Sequence, residues 1–175
     1  MKDFSGPTLK RTSWLEGLIY VACSIFILVL GISAIYDPSI RALHGFQALI
    51  YVAVIILARS RSAYGYGAGC ITAAFWNWIN LVHTTFIRAG LDQLSNLLKT
   101  GHIARPDLFI AVVAATAHFV LIVACLVGFV RVWSRGPLQI VRFFAGGLAA
   151  LAYFVVIVVA FGPQYVPLLK KVFGI

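Results

Sequence analysis

The sequence is short of charge, and shortest of acid. Charged residues make up 11% of the chain, and its acids number five against 14 Lys and Arg. A soluble domain carries roughly a quarter charged residues. This chain has too few to build a water-facing surface, which excludes an ordinary soluble fold. Acids are also missing where catalysis would need them. Glu16 stands at the start of the first apolar run, and Asp37, Asp92 and Asp107 lie in connections. No two carboxylates share a run. No G-x-S-x-G elbow, H-E-x-x-H helix or phosphate-binding loop is present. Asp92, His102, Arg105 and Asp107 read as a solvated charged connection. No catalytic residue is therefore assigned, and a non-enzymatic role is expected.

Cysteine is scarce too. Cys23, Cys70 and Cys125 lie in three different apolar runs, with no C-x-x-C or other metal-ligating spacing. This excludes a disulfide framework and a thiolate metal centre, and leaves three small side chains suited to apolar surroundings. There is no internal repeat and no low-complexity tract.

What is present is apolar and arranged in runs. Hydrophobic residues are 62% of the chain and the mean hydropathy is +0.98. The expected fold is a single integral membrane domain over residues 1–175. It is all-α, a polytopic transmembrane bundle of five spans at about 14–36, 40–58, 63–88, 107–130 and 138–161. Residues 1–13 form a basic leader with Lys2, Lys10 and Arg11. The run that follows is too long for a cleaved signal peptide and is read as a retained first span. Asp37-Pro38-Ser39 stops the first span and starts the second. Gly90 is expected to break the third. Leu91, Leu94, Leu97 and Leu98 then mark a short amphipathic interfacial helix at about 91–99. Gly146, Gly147, Ala149, Ala150 and Ala152 make the fifth span suited to close helix contact. The half-apolar tail after Pro163 is expected to rest on the surface. An odd span count argues against a pair of inverted repeats.

The net charge of +9 sits mainly in the connections. That distribution points to anionic lipid headgroups rather than nucleic acid. The expected partners are the bilayer and a membrane-protein partner or second copy of the chain. With the N-terminus inside, eight of the 14 basic residues fall on the cytoplasmic side. The expectation is a bacterial inner membrane, N-terminus cytoplasmic and C-terminus outside.

Residues 64–92 carry the polar groups that lipid does not solvate. On a helix of about 100° per residue, Asn77, Asn80, Thr84 and Arg88 form one stripe with His83 at its edge. In the second span His44, Gln47 and Tyr51 share a face. His44 and His83 fall at similar depth near the outer side, with His118 deeper in the fourth span. Polar groups inside a membrane look into the bundle and mark pockets or paths. Two readings of these nine residues follow. They line a small-ligand pocket between spans two and three, giving a binding, transport-related or complex-subunit protein. Alternatively, two of His44, His83 and His118 are axial ligands of a b-type haem in an electron-transfer subunit. Hydrogen bonding between helices, with no ligand at all, would use the same residue types. No metal site is expected.

Overall fold

The computed structural model describes residues 14–134 and 136–175; the basic leader and Arg135 lie outside them. Among the described residues the fold is all-helical. Seven α-helices follow in order: α1 (Trp14–Tyr36), α2 (Arg41–Arg59), α3 (Ala63–Trp78), α4 (Phe86–Thr100), α5 (Pro106–Trp133), α6 (Leu138–Phe161) and α7 (Val166–Phe173). Short 3₁₀ turns precede α2 and α7, and a π-helical turn (Ile79–His83) follows α3.

Four segments are long and apolar enough to cross a membrane: Trp14–Tyr36, Pro38–Arg59, Pro106–Trp133 and Leu138–Phe161. Their outward faces carry large bare side chains, among them Leu28, Ile35, Ile56, Val123, Val130 and Leu148, each more than half exposed. Such a belt is costly in water and natural in hydrocarbon. The inward faces hold a main core, with Ile19, Cys23, Phe26, Tyr51, Val54, Leu121 and Cys125 almost fully enclosed, and a smaller cluster of Leu43, Ile157, Val158 and Leu169.

The expected third span differs. It is not one apolar helix to Arg88. α3 is 16 residues long, and ten of them are buried. It is enclosed by α2, α5 and α6 rather than offered to the surroundings. Glycine permits this. A methyl on Gly67 would land on the Phe143 carbonyl of α6, and one on Gly146 of α6 would land on the Tyr64 carbonyl. Backbone thus touches backbone at this crossing, as the small residues of α6 lead one to expect.

The break after α3 lies at Thr84–Thr85, not at Gly90. Gly90 is buried inside α4, where its lack of a side chain lets α4 close on α5: a Cβ there would sit 2.9 Å from the Leu108 carbonyl and 3.1 Å from Ala111 Cβ. The amphipathic helix therefore begins at Phe86 and packs against α5 instead of lying free in an interface. Gln93 Oε1 accepts a hydrogen bond from the Arg105 amide at 3.0 Å, and Asn96 Nδ2 donates to the His102 carbonyl at 3.4 Å. Contacts 69 to 125, 76 to 118 and 90 to 108 show α3 and α4 running in one sense, antiparallel to α5. The tail is also more engaged than expected, since Leu169 of α7 is buried and Phe173 stacks on Phe75.

The two ends of the bundle differ. At the end holding Trp14, Arg61 Nε donates to Glu16 Oε1 at 2.8 Å and Arg131 lies over the Trp14 ring at 5.6 Å. At the other end the helices splay around a cavity.

Candidate functional site

The cavity measures about 490 Å³. Its wall is built from the end of α1, the first half of α2, the π turn, the start of α5 and α6–α7. Most of the lining is apolar or aromatic, with Phe26, Trp76, Phe86 and Phe154 giving flat surfaces. Of the nine sequence candidates, the fold brings His44, Gln47, Asn80 and Thr84 to it.

These four play different parts. His44 Nδ1 lies 3.1 Å from the Leu30 carbonyl. A carbonyl only accepts, so Nδ1 carries the proton, and Nε2 of the neutral ring is left as an acceptor. Gln47 is only 4% exposed, yet its amide has no hydrogen-bond partner among the described residues. A carboxamide in that position gains from any ligand that can pair with it.

Asn80 and Thr84 are occupied by the broken helix. Asn80 Nδ2 donates to the Trp76 carbonyl at 2.9 Å. Thr84 Oγ1 lies 3.3 Å from the Asn80 carbonyl and 3.2 Å from Asn80 Oδ1, and accepts from the Phe86 amide at 3.2 Å. The Thr84 amide closes the π turn on Ile79 at 3.1 Å. Side chains here replace the ladder that a continuous helix would supply, as they must where a helix breaks away from water. Isolated π turns and broken helices are frequent at ligand sites. This one lies on the cavity wall.

The other five are elsewhere. Arg88 is exposed and reaches back to the Leu81 carbonyl. His83 packs edge-on against Trp78 at 4.9 Å, with its Nε2 buried and without a partner among the described residues. Asn77 is 3% exposed, and neither amide atom has a partner among the described residues. Tyr51 and His118 form a pair behind the wall: the Tyr51 hydroxyl is 2.8 Å from His118 Nε2. Phe26 lies 3.9 Å from the His118 ring and 4.5 Å from Tyr51, and Trp76 lies 4.8 Å from His118. Phe26 and Trp76 face the cavity, so the pair is their backing.

The haem reading does not fit this geometry. Two imidazoles must face one macrocycle from opposite sides, but of the three histidines His44 alone lines the cavity. His118 Nε2 is taken by Tyr51 and its ring is closed in by aromatics. Among the described residues no group of three or more His, Cys, Asp or Glu side chains could hold a metal ion. The cysteines are free and buried.

The rim includes groups that sequence reasoning did not gather: Ser33, Asp37, Asp107 and Tyr165. Asp37 was legible as a helix cap and Asp107 as a first-turn residue. Only the packing of α1 on α5 puts both at one opening. Asp37 Oδ1 accepts from the Ser39 amide at 3.0 Å and the Ser39 hydroxyl at 2.6 Å. The Ser39 hydroxyl, helped by its amide, holds the Asp37 carboxyl below the usual range. Compared with known protein families, curated proteins and solved structures, the chain matches none.

Proposed function

We propose that the chain is a small integral membrane protein that acts by binding a small, largely apolar molecule in this cavity. The observation that carries the reading is Gln47. The residue is only 4% exposed and lines the cavity, and its amide has no hydrogen-bond partner among the described residues. The self-satisfied break at Asn80 and Thr84 supports it, because it keeps a non-helical backbone at the cavity wall. We propose further that the buried α3 counts as a fifth crossing, so that the termini lie on opposite sides with the N-terminus in the cytoplasm.

Replacing Gln47 with leucine tests the binding role. Benzamide, an aromatic ring with one amide, should raise the Tm of the detergent-purified wild type. Gln47→Leu should lose most of that rise. Its ligand-free stability should stay level or increase by about 1 kcal/mol, because an unpaired amide is removed. A variant that loses ligand-free stability and keeps the benzamide response would refute the assignment. For topology, alkaline phosphatase fused after Ile175 should be active and the same enzyme fused before Met1 inactive. Activity of both fusions would mean an even number of crossings.

A further inference from the structure

We infer that the molecule taken up by the cavity is a cation, an ammonium-type head on an apolar body of aromatic size. This rests on the binding role proposed for the cavity and names the class of its ligand. The chain holds nearly three bases for each acid, yet among the described residues no Lys or Arg lines the cavity, while Asp37 and Asp107 do. A lining drawn from a basic protein without one base selects against anions.

The two acids are not equivalent. Asp107 is already answered, since both its oxygens accept from the Arg105 guanidinium, at 2.9 and 2.6 Å. Asp37 is not. Both Ser39 bonds go to Oδ1, and Oδ2 has no partner among the described residues. Asp37 is therefore the uncompensated charge of the rim. Below it the groups without a partner include acceptors, His44 Nε2 and the Gln47 amide oxygen. The aromatic side chains of Trp76 and Phe86 complete the lining. Ring faces attract cations and do nothing comparable for neutral groups of the same shape. Gln47, buried and unpartnered, shows independently of the acids that the cavity is equipped for a ligand.

Three probes of one shape separate the possibilities. Benzyltrimethylammonium carries the charge, neopentylbenzene is its uncharged carbon isostere, and benzylsulfonate is an anion of similar size. Each is titrated into the full chain in an uncharged maltoside detergent, with Kd from tryptophan fluorescence and Tm as a second readout. The cation should bind about tenfold tighter than the isostere, and benzylsulfonate should bind weakest. Asp37→Asn keeps the Oδ1 acceptor that caps the turn. It should weaken the cation about tenfold and leave the isostere unchanged. Asp92→Asn, away from the cavity, should change neither. Equal affinity for cation and isostere, or a cation Kd untouched by Asp37→Asn, would overturn the charge assignment and leave the binding role standing. Binding of none of the three would overturn both. A competition then identifies the source of the head. Displacement by dodecylphosphocholine as well as dodecyltrimethylammonium marks a lipid headgroup; displacement by dodecyltrimethylammonium alone marks a free amine. Either result sustains the cation.

Discussion

Gly67→Ala is expected to lower stability by about 3 kcal/mol or to prevent folding. The added methyl would fall on the Phe143 carbonyl and crowd its carbon and Cα. These are backbone atoms, so no rotamer change relieves the contact, and α3 and α6 must move apart. Gly146→Ala should behave alike through the Tyr64 backbone. Because α3 is the helix that α2, α5 and α6 enclose, separation there opens the whole core. Gly31→Ala in α1 is the matched control. A Cβ at Gly31 meets nothing within 4 Å, and alanine is the better helix former by up to about 1 kcal/mol. Denaturation of the three variants in detergent gives the comparison. A Gly67→Ala protein as stable as Gly31→Ala would show that α3 and α6 do not touch by their backbones.

The second large effect is expected at His118. Truncation to alanine removes a fully enclosed ring from between Phe26, Trp76 and Tyr51 and strands the Tyr51 hydroxyl. Deleting a buried aromatic costs about 3–5 kcal/mol. The replacement His118→Phe keeps the volume and loses the hydrogen bond, for about 1–2 kcal/mol, part of which is offset because Nδ1, buried with no partner among the described residues, goes too. Tyr51→Phe should cost a similar amount by leaving His118 Nε2 alone. The double change His118→Phe with Tyr51→Phe should recover much of the loss, because neither polar group is then left without its partner. Simple addition of the two single effects would contradict the pairing. The same variants bear on the cavity. If Tyr51 and His118 are its backing, the phenylalanine pair should still respond to ligand.

The four long spans were legible because hydrocarbon makes a simple demand. Outward positions must be predominantly apolar, and runs such as Trp14–Tyr36 satisfy this without reference to the rest of the chain. The α3 region makes no such demand, since its neighbours are protein. There the sequence was ambiguous for identifiable reasons. Asn80 and Thr84 stand four apart, a spacing that suits a stripe on a continuous helix and equally suits two side chains repairing a broken one. Depths computed from an even rise place His83 opposite His44. The intervening π turn changes both rise and rotation, and His83 packs on Trp78 instead. Gly90 looked like a helix end because glycine is a poor helix former. Close approach of α4 to α5 is what asks for it. Tyr51 and His118 are 67 residues apart, and no local pattern joins them. Gln47 and His44 were found from their shared helical face. Asp37 was found only as a cap, and its place on the cavity rim needed the neighbouring helices.

The course of α4 has a practical consequence. At 28 residues α5 is about 42 Å long, well beyond a hydrocarbon thickness of about 30 Å. α4 climbs antiparallel beside the first turns of α5, where Gly90 lets it close on Leu108 and Ala111, while Gln93 and Asn96 bond to Arg105 and His102 of the connection itself. The hairpin joining them, residues 101–105, stands past the start of α5 on two braced helices. A protein of 19.1 kDa offers little to grip for imaging by electron microscopy. An antibody epitope or fused scaffold grafted into this hairpin would be held rigidly to the bundle, on the same face as the cavity opening.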